Sequence, residues 1–182
     1  MSTFSSQCNK VFGLLLLLTL LSACKQDSKH KVDEFYTEKG EWDSARIPFI
    51  KPYEAVIFGK EEGWGMSLHS LEGEGSMINH IREATVVNRF VLIHTDSTLL
   101  NGIEIKQSWW VVSPSRKIEK GFSDHQKYFT FLKALKFKKE PRLHDIEVIA
   151  SFYEDHDTMD WNEVGISAVE MKNKLILFFL KW

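Results

Sequence analysis

Residues 84–95, Ala-Thr-Val-Val-Asn-Arg-Phe-Val-Leu-Ile-His-Thr, decide the fold. Thr85-Val86-Val87 and Phe90-Val91-Leu92-Ile93 are runs of β-branched and large apolar side chains, which suit a pleated sheet. Only Asn88-Arg89 joins them, so the segment reads as two adjacent strands. Upstream, Ile47-Pro48-Phe49-Ile50 and Tyr53 to Phe58 are short β-prone runs, with Pro48 and Pro52 placing that region at an edge or a bend. Trp64-Gly65-Met66-Ser67-Leu68 alternates large with small, the period of a half-buried strand. Downstream, Asn101-Gly102 is a strong turn pair, and Ile103-Glu104-Ile105 and Ser108 to Val112 complete the β-rich region. Turns at Gly59–Gly63 and Glu72–Gly75 keep the spacing near 8–12 residues, which predicts an antiparallel meander.

The pattern changes after Val112. Ser123-Asp124-His125-Gln126 has the form of a capping box, and Tyr128, Leu132 and Leu135 follow at helical spacing, with Phe131 beside them. Lys136, Lys138 and Lys139 suit a helix C-terminus and Pro141 ends it. Leu143 to Tyr153 fits one face of a helix or one face of a strand; early acids and a run above ten residues favour helix. The apolar run Leu175 to Leu180 is too short to cross a bilayer and suits a buried or sheet-edge strand. The predicted fold is α+β: an antiparallel sheet of about five or six strands with one or two C-terminal helices packed on one face.

The N-terminus carries a different message. Met1 to Lys10 is polar with one base, and Val11 to Leu21 is an apolar stretch, followed by small residues. This is the pattern of a secretory signal, too short for a membrane span. Its end, Leu21-Ser22-Ala23-Cys24, closely resembles the bacterial lipobox. That resemblance implies cleavage between Ala23 and Cys24, a diacylglyceryl group on the Cys24 sulfur and acylation of the new amino terminus. Two or three chains, at about 0.8 kcal/mol per buried methylene, hold a protein on a bilayer durably. Lys25 stands where, in the family's sorting rule, an aspartate would retain the protein in the inner membrane, so the outer membrane is favoured. Lys25-Gln26-Asp27 partly resembles the acidic surface-export signal of bacteroidete lipoproteins, which leaves the periplasmic or surface face open. Arg46 to Glu54, followed by Trp64, loosely resembles a pattern in small uncharacterised bacteroidete envelope lipoproteins. The implied organisation is a signal peptide over 1–23, a lipidated cysteine with a polar tether over 24–33, and one globular domain over 34–182.

Composition narrows the function classes. Removing the leader takes away Lys10 and no acid, so 22 Lys+Arg face 25 Asp+Glu in the mature part. The weakly acidic balance argues against a nucleic-acid partner, and the charges form no polybasic patch. Cys8 lies in the leader and Cys24 is committed to lipid, so the mature domain has no thiol for a disulfide, a zinc site or a nucleophile. The expected partners are the bilayer, through acylated Cys24, and another envelope protein; no cofactor is expected.

A few groups of residues are of types that can carry chemistry. Asp155, His156 and Asp157, with Asp160, form the densest group of metal-ligand types, but they lack the glycine and closing glutamate of a calcium loop and read as a solvated acidic loop. His69, His80 and His94 share the strand region, and an enzyme would gather two or more of these and His156 beside an acid in one pocket. Gly73-Glu74-Gly75-Ser76 fits neither a phosphate loop nor a nucleophile elbow. Trp109 and Trp110 are adjacent in a strand and must point to opposite faces. One enters the core; the other is either covered by the Ser123 helix, which is favoured, or exposed as an interaction anchor. The expected function is a non-catalytic envelope binding module, with an immunity-type lipoprotein that neutralises an antibacterial toxin, or an envelope hydrolase, as alternatives.

Overall fold

The computed structural model describes residues 32–40, 44–58, 63–69, 77–100 and 102–165. Met1–Val32 and Asp33–Trp182 separate as units, and every described strand and helix belongs to the second. The leader with Cys24, most of the segment expected to be a tether, residues 70–76 with the expected Glu72–Gly75 turn, Asn101 and the run 175–180 lie outside the described residues.

The chain is α+β, and its strands follow one another as an antiparallel meander. β1 (Ser44–Ile50), β2 (Tyr53–Phe58), β3 (Trp64–Ser67) and β4 (Met77–Ile78) pair in that order as one sheet. β5 (Ile81–Val87), β6 (Phe90–Leu100), β7 (Ile103–Ser113), β8 (Ile118–Phe122) and β9 (His144–Asp145) form a second, in the order β8-β7-β6-β5-β9. The strands thus divide between two sheets where the sequence suggested one. The break falls at His80, whose φ of 54° turns the chain between β4 and β5; the His80 carbonyl accepts from Asp96 N–H at 3.2 Å. The Asn88-Arg89 turn has φ of 51° and 65°, the two left-handed residues that a tight hairpin between twisted strands requires. Gly102, at φ 75°, serves the β6–β7 turn.

Two helices follow. α1 (His125–Ala134) begins one residue later than the capping box implied. Its N-cap is Asp124, whose carboxylate accepts from Lys127 N–H at 2.8 Å. A charged acceptor suits the positive end of a helix better than a serine hydroxyl. The ambiguous 143–153 stretch divides: His144–Asp145 is β9, and from Ile146 the chain is helical as α2 (Ile146–Asp155). Asp145 caps α2 by accepting from Glu147 N–H at 2.9 Å. Residues 161–165 are also helical. Among the described residues no helix is long and apolar enough to cross a membrane.

The helices belong to different cores. Ile47, Phe49 and Ala55 of the first sheet meet Val91, Ile93, Trp110 and Val112 of the second, and α2 closes this core with Ile149 and Phe152. On the opposite face of the second sheet, Phe90, Leu92 and Val111 lie under Tyr128 and Leu132 of α1. Over Phe90–Ile93 and Trp110–Val112 the two strands are therefore covered on both sides, which explains why those stretches are continuously apolar.

Before β1, a single 3₁₀ turn (Glu34–Tyr36) is clasped to the domain. Tyr36 O accepts from Met159 N–H at 3.0 Å. Glu38 O accepts from the Tyr153 hydroxyl at 2.8 Å and from Arg46 Nη1 at 2.5 Å. Arg46 also pairs with Glu54, and its guanidinium lies 4.7 Å over the Phe35 ring.

Candidate functional site

The two tryptophans take the opposite faces that strand geometry demands. Trp110 is 6% exposed in the first core. Its indole N–H donates to Ser108 Oγ at 2.7 Å, and that hydroxyl lies 2.6 Å from Thr95 Oγ1. Trp109 faces α1 and stays partly exposed, which corrects the expectation that both would be buried. The cause is where α1 begins: Tyr128 and Leu132 cover Leu92 and Val111, so the helix reaches Trp109 only through the rings of His125 and Tyr128.

The register builds a cluster around this indole. β5 and β6 pair Glu83 with His94, and β6 and β7 pair His94 with Trp109. Cross-strand partners share a face, so carboxylate, imidazole and indole line up. The His94 ring stacks on Trp109 at 5.2 Å and 19°, while His94 Nδ1 lies 3.1 Å from Glu83 Oε2. His125, from the first turn of α1, meets Trp109 edge-on at 5.1 Å and bonds Glu140 Oε1 through Nε2 at 2.9 Å. The indole is thus held between two imidazoles, each with its own carboxylate.

The cluster also holds buried polar atoms without hydrogen-bond partners. A carboxylate only accepts, so His94 Nδ1 donates to Glu83, and in the neutral ring Nε2 is then an acceptor. Among the described residues, that Nε2 is buried and unpartnered, as is the Tyr128 hydroxyl; His144 Nδ1 is too, but His144 pairs with Ala84 of the first core and so lies on the other face of the sheet. Burial, reinforced by the negative charge of Glu140, pushes the Tyr128 hydroxyl well above the usual phenol range. Burial and the nearby Arg142 hold His144 below the ordinary imidazole value, with Glu83 opposing them.

Beside Trp109 the surface opens into a hollow of about 600 Å³ lined by Ile105, Lys106, Gln107, Trp109 and Ser123. It lies where β8 stops at Phe122 while β7 continues toward its turn. An indole fixed by its neighbours at the floor and a cation, an amide and a hydroxyl at the rim suit recognition. Among the described residues Ser123 makes no hydrogen bond to a histidine.

The other sequence candidates disperse. His69 packs edge-on against Tyr53 at 5.2 Å, and its backbone N–H and the Tyr53 hydroxyl both donate to Glu119 Oε1, at 2.6 and 2.5 Å. His80 lies at the β4–β5 turn beside Gly63. His156 stacks on Phe152 at 4.0 Å and bonds its carbonyl at 2.7 Å. Asp155 ends α2, and Asp160 accepts from Asn162 N–H at 2.9 Å. Among the described residues no three metal-ligand side chains gather, Asp155, His156 and Asp157 included. Glu83, His125, Glu140, Lys106 and Gln107 do not stand out as site residues in the sequence. The strand alternation that separates Trp109 from Trp110 could have marked Gln107, two positions away on the Trp109 face. The chain matches no protein-family model, no curated protein and no solved structure.

Proposed function

We propose that this chain is a lipid-anchored protein of the cell envelope whose α+β domain acts by binding, through the Trp109 hollow, rather than by catalysis. The observation that carries the binding role is the immobilised indole at the floor of an open, polar-rimmed hollow. Tryptophan is enriched among residues that dominate binding energy, and a side chain already fixed has little rotamer freedom left to lose. The reading of the anchor rests on Leu21-Ser22-Ala23-Cys24 and the leader before it.

Two measurements test the two parts. In cells fed a labelled fatty acid, the wild-type chain takes up label, and Cys24→Ala leaves an unlabelled, uncleaved precursor; equal label in both overturns the anchor. A photo-reactive side chain at Gln107 is expected to give a discrete cross-linked adduct in cells that disappears when Trp109→Ala is added. Cross-linking indifferent to Trp109→Ala overturns the hollow as the binding surface.

A further inference from the structure

We infer that the hollow takes an extended polypeptide strand, added to the free edge of β7 over Ile103–Gln107, with an acidic side chain opposite Lys106 and apolar ones on either side. This deepens the reading of the Trp109 hollow as a binding surface and rests on it.

The register supplies the argument. β8 covers β7 only from Ser113, paired with Ile118, to Trp109, paired with Phe122. The chain then leaves the sheet at Ser123 to enter α1. β7 runs on to Ile103, still paired with β6 on its other side through Leu100↔Ile103. Among the described residues, Ile103–Gln107 has no strand neighbour on the β8 side. Such an edge presents backbone N–H and C=O groups at the repeat of an extended chain, a pattern that another extended backbone satisfies. The hollow lies on this edge, in line with β8.

Side chains set the chemistry of the occupant. Ile103, Ile105, Gln107 and Trp109 alternate onto one face of β7, and Ile103 is 66% exposed. A strand residue opposite Gln107 would lie diagonal to both Trp109 and Ile105, inside the hollow, where an apolar group buries best. The intervening residue faces Lys106. Lys106 is exposed and makes no ion pair among the described residues, whereas Glu104 on the same face accepts from Ser97 Oγ at 3.3 Å. A strand residue directly opposite Lys106 meets that cation at closer range than Glu104, which lies one diagonal away, and the complement of the cation is a carboxylate.

The probes are fluorescent pentapeptides titrated to about millimolar concentration against the full-length chain in detergent, read by anisotropy. Thr-Val-Glu-Val-Thr should bind about threefold or more tighter than Thr-Val-Lys-Val-Thr, and Lys106→Glu should reverse that order, as expected of an exposed charge pair. Two further versions of the acidic peptide carry N-methyl groups on alternate amides, either on the valines or on the residues between them. Alternate amides of a strand point to opposite sides, so one version should lose at least about tenfold in affinity and the other little. If both methylated versions bind like the parent and Trp109→Ala still abolishes binding, the hollow captures side chains only: strand addition is overturned while the binding surface stands. Failure of the wild-type chain to bind the acidic peptide also overturns strand addition, and the cross-link at Gln107 then judges the hollow independently.

Discussion

The two faces of the β6–β7 pair make a natural comparison, because they are built from neighbouring residues of the same strands. Toward the first sheet, the buried polar side chains of the pair bond to one another: Thr95 and Ser108 are fully buried, 2.6 Å apart, and Ser108 also receives the Trp110 indole. Toward α1, the layer holds His94 and Tyr128, each with a buried polar atom lacking a partner among the described residues, and it ends in an open hollow. One face resembles a finished interior and the other a surface left in readiness. A buried polar atom without a partner costs about 1–3 kcal/mol. The contrast predicts that the first face contributes more to stability than the second.

The largest effect should separate the adjacent tryptophans. Trp110→Ala is expected to cost about 3–5 kcal/mol in denaturant unfolding, as for other large aromatic deletions in cores. Trp109→Ala should cost about half as much, because part of its surface already meets water. Equal losses would break the comparison. Next comes Ser108→Ala, which strands the Trp110 N–H and removes a partner of Thr95; a loss of about 1–3 kcal/mol in the same assay is expected. The smallest effect belongs to the second face. Tyr128→Phe removes a buried hydroxyl with no hydrogen-bond partner among the described residues, so unfolding should show no loss, or a gain of up to about 1 kcal/mol. A loss beyond about 1 kcal/mol would mean that the hydroxyl holds a bridging water, and the face would then count as satisfied.

Much of this architecture is legible in the residues alone. The β-runs either side of Asn88-Arg89 announce the hairpin because period and turn length agree there. The helix before Pro141 is equally plain, since spacing, cap and stop coincide. The division into two sheets is not legible: it depends on a left-handed His80, and although histidine enters that region more often than most residues, the great majority of histidines do not, so the residue alone marks no break. Nor can alternation say which tryptophan is buried. It assigns them to opposite faces, and only the tertiary arrangement decides which face receives the first sheet. The Glu83–His94–Trp109 alignment is hidden for a related reason. It requires the exact β5–β6 register, which includes an irregularity between Ile81 and Glu83 that shifts the pairing.

The clasp around Arg46 has a mechanical consequence. If the chain is tied to a bilayer ahead of Asp33, any pull enters the domain through residues 33–40. There it meets Asp33 bonded to Lys51 at 3.0 Å, Tyr36 to Met159, and Glu38 to Tyr153 and Arg46. These links anchor to β1, to α2 and to the stretch after it, so tension spreads over several elements before it can peel a strand. The β6–β7 turn and the edge beside it, which has no strand neighbour among the described residues, lie outside that load path, and the hollow should keep its shape under drag.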